Sequence, residues 1–266
     1  MLDAAPVLDA PMLDAIIVQA VTKRFSGPAG EIVALQDAQL NVAPGEFVCL
    51  IGASGCGKST LLRIIAGFEA ASTGSVQVRG KRVEGPGPER GMVFQDYGLF
   101  PWLTVRQNIG FGPSSRGKSR AEINEITGRF LDMIGLGAFA DAYPHQLSGG
   151  MKQRVAIARV LANDARVVLM DEPFGALDAM TRERLQDELL ELWASTGLTV
   201  VFVTHAIEEA IFLGDRVVVM SPGPGRIVQD VRVALPRPRD VSSPEFNALR
   251  RELSALLHSK HARVLT

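Results

Sequence analysis

Apolar residues in this chain fall in short runs broken by turn residues rather than in long stretches. Ile16-Ile17-Val18, Val33-Ala34-Leu35 and Phe47-Val48-Cys49-Leu50-Ile51 read as strands, with Pro44-Gly45 as a tight turn before the third. That third run feeds a glycine-rich segment, after which Thr60-Leu61-Leu62-Arg63-Ile64-Ile65-Ala66 reads as a helix closed by Gly67. From about Asp96 to Arg166 the pattern changes to helical segments and loops. Alternation of strand and helix resumes at Val167-Val168-Leu169-Met170, continues through the buried strand Val200-Val201-Phe202-Val203 and the helix from Ile207 to Leu213, and reaches the strand Val217-Val218-Val219-Met220. A turn, Ser221-Pro222-Gly223-Pro224-Gly225, follows. This succession predicts an α/β fold with a parallel core, an antiparallel β layer in front and a helical insert over about 96–166. After Pro236-Arg237-Pro238-Arg239, the positions of Leu249, Leu253, Leu256 and Leu257 predict a short amphipathic helix that docks on the domain or on a partner. The first residues, about 1–14, repeat Leu-Asp-Ala around Pro6 and Pro11 and read as a flexible leader.

Composition narrows the choices without adding a function. The chain has 266 residues, 47% of them hydrophobic and 21% charged, enough for one large domain or one domain with a subdomain. Its 28 basic and 29 acidic residues leave a formal charge of −1, so the basic excess of a dedicated nucleic-acid binder is missing. Cys49 and Cys56 are the only cysteines, which fits a reducing compartment and small packing residues rather than a disulfide scaffold. No apolar run has the length of a membrane span, and the opening Met1-Leu2-Asp3-Ala4-Ala5-Pro6 lacks the basic start of a signal peptide. Any contact with a membrane is therefore expected to run through a partner.

Three segments carry chemistry. Gly52-Ala53-Ser54-Gly55-Cys56-Gly57-Lys58-Ser59-Thr60 matches the pattern of a phosphate-binding loop between a strand and a helix. Its glycines admit backbone N–H groups to phosphate oxygens, Lys58 adds a point charge for the β and γ phosphates, and Ser59 offers a hydroxyl to Mg²⁺. Asp171 and Glu172 follow an apolar strand: the first suits Mg²⁺ through its water shell, the second suits an attacking water as orienter or base. As an isolated pair they could equally be acids at a strand end. Ser148-Gly149-Gly150 opens a helix on which Met151, Val155, Ala158 and Ala162 share one face, while Lys152, Arg154 and Arg159 point elsewhere. A serine and two glycines at a helix start form either a simple cap or a second anion site.

In their order and spacing, over about residues 15–225, these segments resemble the ATP-binding subunit of ABC transporters. The resemblance implies a P-loop NTPase with a RecA-like parallel core, an ATPase domain at 15–228 with its helical subdomain at about 96–166, and a C-terminal extension at 229–266. It also implies roles for further residues. Gln95 resembles the glutamine that bridges Mg²⁺, the attacking water and the membrane partner. Ala176-Leu177-Asp178 resembles the loop through which two active sites communicate, and His205 the histidine that contacts the γ-phosphate. Phe25 aligns with the aromatic that stacks on adenine, although a core phenylalanine is the competing reading. Met151 departs from the family, where glutamine is common. ATP is then the substrate and Mg²⁺ the cofactor. Two subunits of a homodimer would enclose each ATP between the phosphate loop of one and Ser148-Gly149-Gly150 of the other, and hydrolysis would drive an integral-membrane permease.

Phe100-Pro101-Trp102-Leu103-Thr104-Val105, with Leu147–Arg154 and Met220–Ile227, resembles importers of nitrate, sulfonate, taurine and similar small solutes. Such a subunit sits peripherally on the cytoplasmic face of the membrane and serves a solute-binding protein indirectly. Tyr97, Leu99, Phe100 and Trp102 would line the permease groove or fill the helical subdomain. Two other readings compete: a soluble ABC ATPase of DNA repair or translation, which usually brings a coiled-coil insertion, a second cassette or a basic surface, and a regulatory nucleotide sensor without turnover.

Overall fold

The computed structural model describes residues 14–27, 30–175 and 177–261; the leader up to residue 13 and Ala176 lie outside the described residues. The chain begins with strands β1 (Ile16–Gly27) and β2 (Gly30–Val42), an antiparallel pair far longer than the apolar triplets inside them. Polar residues such as Gln19, Thr22 and Asp37 stand between the buried ones, because this sheet is open to solvent on one side. Register shifts between Val18 and Arg24, with Ala20 and Asp37 at positive φ, further break the alternation that marks a strand in sequence. β3 (Phe47–Gly52) and α1 (Lys58–Ala66) follow, and α1 ends at Gly67 with φ 82°. Next come β4 (Thr73–Val78), the short β5 (Lys81–Arg82) and β6 (Arg90–Val93).

The insert contains α2 (Val105–Ser115), α3 (Arg120–Met133) and α4 (Gly149–Ala162). Thr104–Gln107 and Ser119–Glu122 form reciprocal capping boxes at the first two, and Ser148 accepts a hydrogen bond from the Met151 N–H at the third. The core then resumes with β7 (Val167–Asp171), α5 (Ala179–Thr196), β8 (Thr199–Val203), α6 (Ile207–Leu213), β9 (Arg216–Ser221) and β10 (Arg226–Arg232), and the chain ends in α7 (Pro244–His261).

Two sheets result, ordered β2-β1-β4-β5 and β10-β9-β3-β8-β7-β6. The first is antiparallel; the second is parallel except where β10 joins β9. Every residue of β3, β7 and β8 is buried, since each strand feeds two cores. Phe47, Cys49, Ile51, Val168 and Met170 face the helices of the insert and α5, whereas Val48, Leu50, Val167 and Leu169 face α1 and the antiparallel sheet. Strand periodicity thus has hydrophobic residues on both sides, which explains the unbroken apolar runs.

The segment after residue 228 is part of this body. The turn at 221–225 closes a hairpin rather than the domain: β9 and β10 pair from Arg226↔Ser221 to Arg232↔Arg216, so a boundary at 228 falls inside a strand. The final helix is also longer than its leucines indicate, with Phe246 and Leu253 fully buried and Leu249, Leu256 and Leu257 packed against the same core. Between strand and helix, Arg237 donates to Asp215 and lies over the Trp193 ring, 4.6 Å from its centroid. Arg239 donates to the carbonyls of Ile211, Phe212 and Gly214 at 2.5, 3.0 and 2.7 Å, satisfying the end of α6. Burial, reinforced by Arg237, lowers its pKa to about 10. Replacing Arg239 by Leu strands these carbonyls and is expected to cost about 2–4 kcal/mol of stability, read as a lower denaturant midpoint at unchanged slope.

Candidate functional site

Four neighbouring parallel strands present their C-terminal ends side by side in the order β3, β8, β7, β6. The phosphate loop leaves β3, Thr204-His205 leaves β8, Asp171-Glu172 ends β7, and Gln95 stands two residues beyond Val93 of β6. The Glu172 N–H donates to Val203 O (3.0 Å) and the Thr204 N–H to Leu50 O (3.1 Å), so these ends are joined across the sheet. The mouth of a parallel sheet is where backbone geometry leaves room for a ligand.

The loop is built for an anion. Ser54 and Gly55 are exposed at its crest, while Cys56 is buried beneath them. Gly57, at φ 93°, faces Leu35 so closely that a Cβ there would stand 2.6 Å from Leu35 Cδ2, which a side chain at this position could not escape. Gly225 seals the underside: its Cβ would collide with the Cys56 carbonyl, and its N–H donates to Ala34 O. Helix α1 starts with neither a side-chain cap nor an acidic residue in its first turn, so its N–H groups and positive end remain free for phosphate. Lys58 is 5% exposed, and its ammonium donates to the carbonyls of Gly52 (2.8 Å) and Ala53 (3.1 Å), inside the loop. Burial raises the Cys56 thiol pKa against the opposing charge of Lys58, keeping it a packing group.

Beside the loop, the Ser59 hydroxyl donates to Asp171 Oδ1 at 2.7 Å. Among the described residues no cluster of three or more His, Cys, Asp or Glu is placed to hold a metal alone. An all-oxygen pair with few protein ligands fits Mg²⁺, which binds through one or two side chains and takes its remaining oxygens from water and phosphate. On the neighbouring strands the His205 ring Nδ1 lies 3.1 Å from Glu172 Oε2. Glu172 adopts φ 46°, a left-handed conformation a glutamate rarely takes, and its backbone bond to Val203 helps keep it there. The Gln95 side chain is exposed and reaches the neighbourhood of Gly175, whose Cβ would lie 3.9 Å from the amide nitrogen.

The other predicted residues occupy separate places. Phe25 lies on β1 with 39% of its surface exposed, so it does not fill a core; Lys23 Nζ sits 4.8 Å from its ring centroid. Exposed Ser148 and the backbone of Gly149 and Gly150 open α4, which packs on α2, α3, α5 and β6, whereas α1 packs on β2, β3, β4, β6, β7 and β8. A Cβ on Gly149 would stand 2.9 Å from Leu177 Cδ2 and 3.2 Å from the Tyr97 hydroxyl. Asp178 caps α5 by accepting from the Thr181 N–H at 3.0 Å, and that bond lowers its carboxyl pKa. Tyr97 and Leu99 pack toward the core, while Trp102 is 70% exposed beside Phe100, whose ring also meets Phe111.

Some contributors gave no usable sequence signal. Buried Asn108 donates to the carbonyls of Phe100, Leu103 and Thr104 and accepts from the Phe100 N–H, fixing the turn that carries Trp102. Arg159, facing away from the apolar stripe of α4, donates to Gly98 O at 2.5 Å and lies over the Phe100 ring. Burial lowers its pKa. Glu209 is buried at the start of α6 and accepts from Gln186 of α5 at 2.9 Å. Each looks like an ordinary surface polar residue until the fold closes around it.

The family model described as ABC transporter matches residues 35–175, a span holding the phosphate loop, Gln95, Ser148-Gly149-Gly150 and Asp171-Glu172. The chain belongs to the ABC transporter family. It is 47% identical over 245 residues to the nitrate import ATP-binding protein NrtD of Synechocystis sp., covering 89% of this chain and 92% of that one. It is 50% identical over 214 residues to the taurine import ATP-binding protein TauB of Roseobacter denitrificans, covering 80% of each. A solved dimeric, post-hydrolysis ATP-binding cassette with ADP and Pi bound matches it with a TM-score of 0.72 and 34% identity, over 83% of this chain and 99% of that one. The chain is thus an ABC cassette with a P-loop NTPase fold. Among the described residues no helix is long and apolar enough to cross a membrane.

Proposed function

We propose that this cassette hydrolyses ATP as a homodimer and thereby powers import of a small solute of the nitrate, sulfonate or taurine kind through a separate integral-membrane permease. It would work at the cytoplasmic face of the membrane, with a solute-binding protein as an indirect partner. The observation that carries the reading is the convergence of Lys58, the Ser59–Asp171 pair and the Glu172–His205 pair on one mouth of the parallel sheet.

In this account the loop N–H groups of residues 52–60 and Lys58 hold the phosphates, and Phe25 offers its exposed ring to the adenine, a contact worth about 1–3 kcal/mol. Ser59, Asp171 through water, and Gln95 would hold Mg²⁺, which when bound neutralises charge on the phosphate oxygens. Glu172 takes the proton of the attacking water, and His205, fixed against it, faces the γ-phosphate. Ser148, Gly149 and Gly150 close over the ATP of the other subunit, and Asp178 connects the two sites. The import names of the relatives favour this reading over a soluble ATPase of repair or translation. The Glu172–His205 pair favours turnover over a regulatory sensor.

Purified chain is expected to hydrolyse ATP only with Mg²⁺ and to co-purify with a permease; co-purification with ribosomes or DNA instead would support the soluble alternative. Gln95→Ala is expected to leave ATP affinity within about twofold but to lower solute uptake more than ATPase activity in the reconstituted transporter. Equal losses of uptake and hydrolysis would remove its coupling role.

A further inference from the structure

The first turn of α6 carries two adjacent glutamates with opposite fates. Glu208 is exposed and pairs with Arg250 at 2.7 Å. Glu209 turns inward, with 7% of its surface exposed. Its Oε1 accepts from Gln186 Nε2 at 2.9 Å, and Thr204 lines the same small cavity as this carboxyl group. The Thr204 oxygen accepts from the Ala206 N–H at 3.0 Å, so the two neighbours of His205 are tied to each other in a knot beside Glu209. His205 itself is exposed, with its ring Nδ1 3.1 Å from Glu172 Oε2.

The other end of the knot lies on α5. Arg182, one helical turn before Gln186, donates to Leu177 O at 2.8 Å and to Phe174 O at 3.4 Å. It therefore grips the turn between Glu172 and Asp178 from the same helix that grips Glu209. Arg182, Glu209, Thr204, His205 and Glu172 line a common cavity of about 40 Å³, space for a water among polar groups. Burial pushes the Glu209 carboxyl pKa up, against the opposing pull of its polar neighbours Thr204 and Gln186. A side chain needed only for packing would be apolar here, because an acid must be desolvated to occupy the site.

We infer that Glu209 is a positioning residue for hydrolysis: anchored by Gln186 on α5 and packed in one cavity wall with Thr204 and His205, it holds His205 against Glu172 and locks that pair to the turn leading to Asp178. The inference rests on the proposed roles of Glu172 and His205. A displacement of about 1 Å at such a pair can cost up to about 100-fold in rate.

The test compares the full chain with Glu209→Ala, Glu209→Gln and Gln186→Leu, measuring kcat and KM for Mg-ATP, the melting temperature and the imidazole NMR signals of His205. Glu209→Ala is expected to lower kcat about 10- to 100-fold with KM within about twofold, and to shift the His205 signals while those of His145 stay in place. Glu209→Gln, which keeps the side-chain volume and an acceptor for Gln186, is expected to recover kcat to within about threefold of the parent. Parental kcat in Glu209→Ala, or an equal loss in the Ala and Gln variants, overturns the inference. Should Glu209→Ala not fold, Gln186→Leu serves alone: kcat about fivefold lower supports the knot, and an unchanged kcat refutes it. Reference variants Glu172→Gln and His205→Ala separate the two levels. If both turn over ATP at the parental rate, the proposed hydrolytic pair fails and this inference with it. If both are impaired while Glu209→Ala is not, only the positioning role fails.

Discussion

Glu172→Gln is expected to bind ATP within about twofold of the parent affinity and to hydrolyse it at least 100-fold more slowly, a minimum loss of about 2.7 kcal/mol of transition-state stabilisation. Glutamine preserves the volume of the side chain and a polar contact with the His205 ring nitrogen now 3.1 Å away. The backbone conformation at φ 46° and its bond to Val203 do not depend on the carboxylate. What disappears is basicity, so the change falls on kcat and leaves the phosphate loop untouched. Because the nucleotide then survives, the variant should accumulate in the ATP-closed form. Single-turnover kinetics check the rate and equilibrium titration the affinity; hydrolysis at the parental rate would remove Glu172 as the base.

The second large effect concerns Gly149. A leucine there is expected to weaken ATP-dependent dimerisation at least about 100-fold, while each monomer still binds ATP as the parent does. The position has no room: Leu177 Cδ2 and the Tyr97 hydroxyl stand 2.9 and 3.2 Å from where a Cβ would be. A leucine side chain must displace these neighbours at the opening of α4, beside the exposed Ser148, and so disturb the surface on which the other subunit's nucleotide is proposed to dock. Lys58, Ser59 and Asp171 belong to other elements, so the monomer's own grip on ATP is spared. Isothermal titration of monomers and size exclusion with ATP separate the two effects. An intact dimer would contradict contact across subunits at this loop.

How far the molecule could be read from its letters follows from where each constraint lies. The phosphate loop was legible because its glycines, lysine and serine satisfy a requirement local to one strand-turn-helix unit. Strands buried on both faces, such as Phe47–Gly52, announce themselves as unbroken apolar runs. The half-exposed hairpin Ile16–Val42 does not, since its polar face and bulges interrupt the pattern. α5 was passed over although Asp178 caps it and Gly197, at φ 63°, ends it, because only three of its residues are buried. The expected bound at 228 lies inside β10, whose pairing with β9 a turn rich in glycine and proline does not announce. Least legible were Glu209 and Arg159, whose roles depend on partners 23 and 61 residues away in the chain. A signal of that kind exists only in three dimensions.

The central claim is that ATP itself assembles the working dimer, each nucleotide held between the phosphate loop of one subunit and Ser148-Gly149-Gly150 of the other. Sedimentation velocity of the Glu172→Gln chain, run without nucleotide, with ADP and with ATP, tests it most directly. A shift from monomer to dimer with ATP alone is the predicted result; the same mass in all three conditions would contradict it.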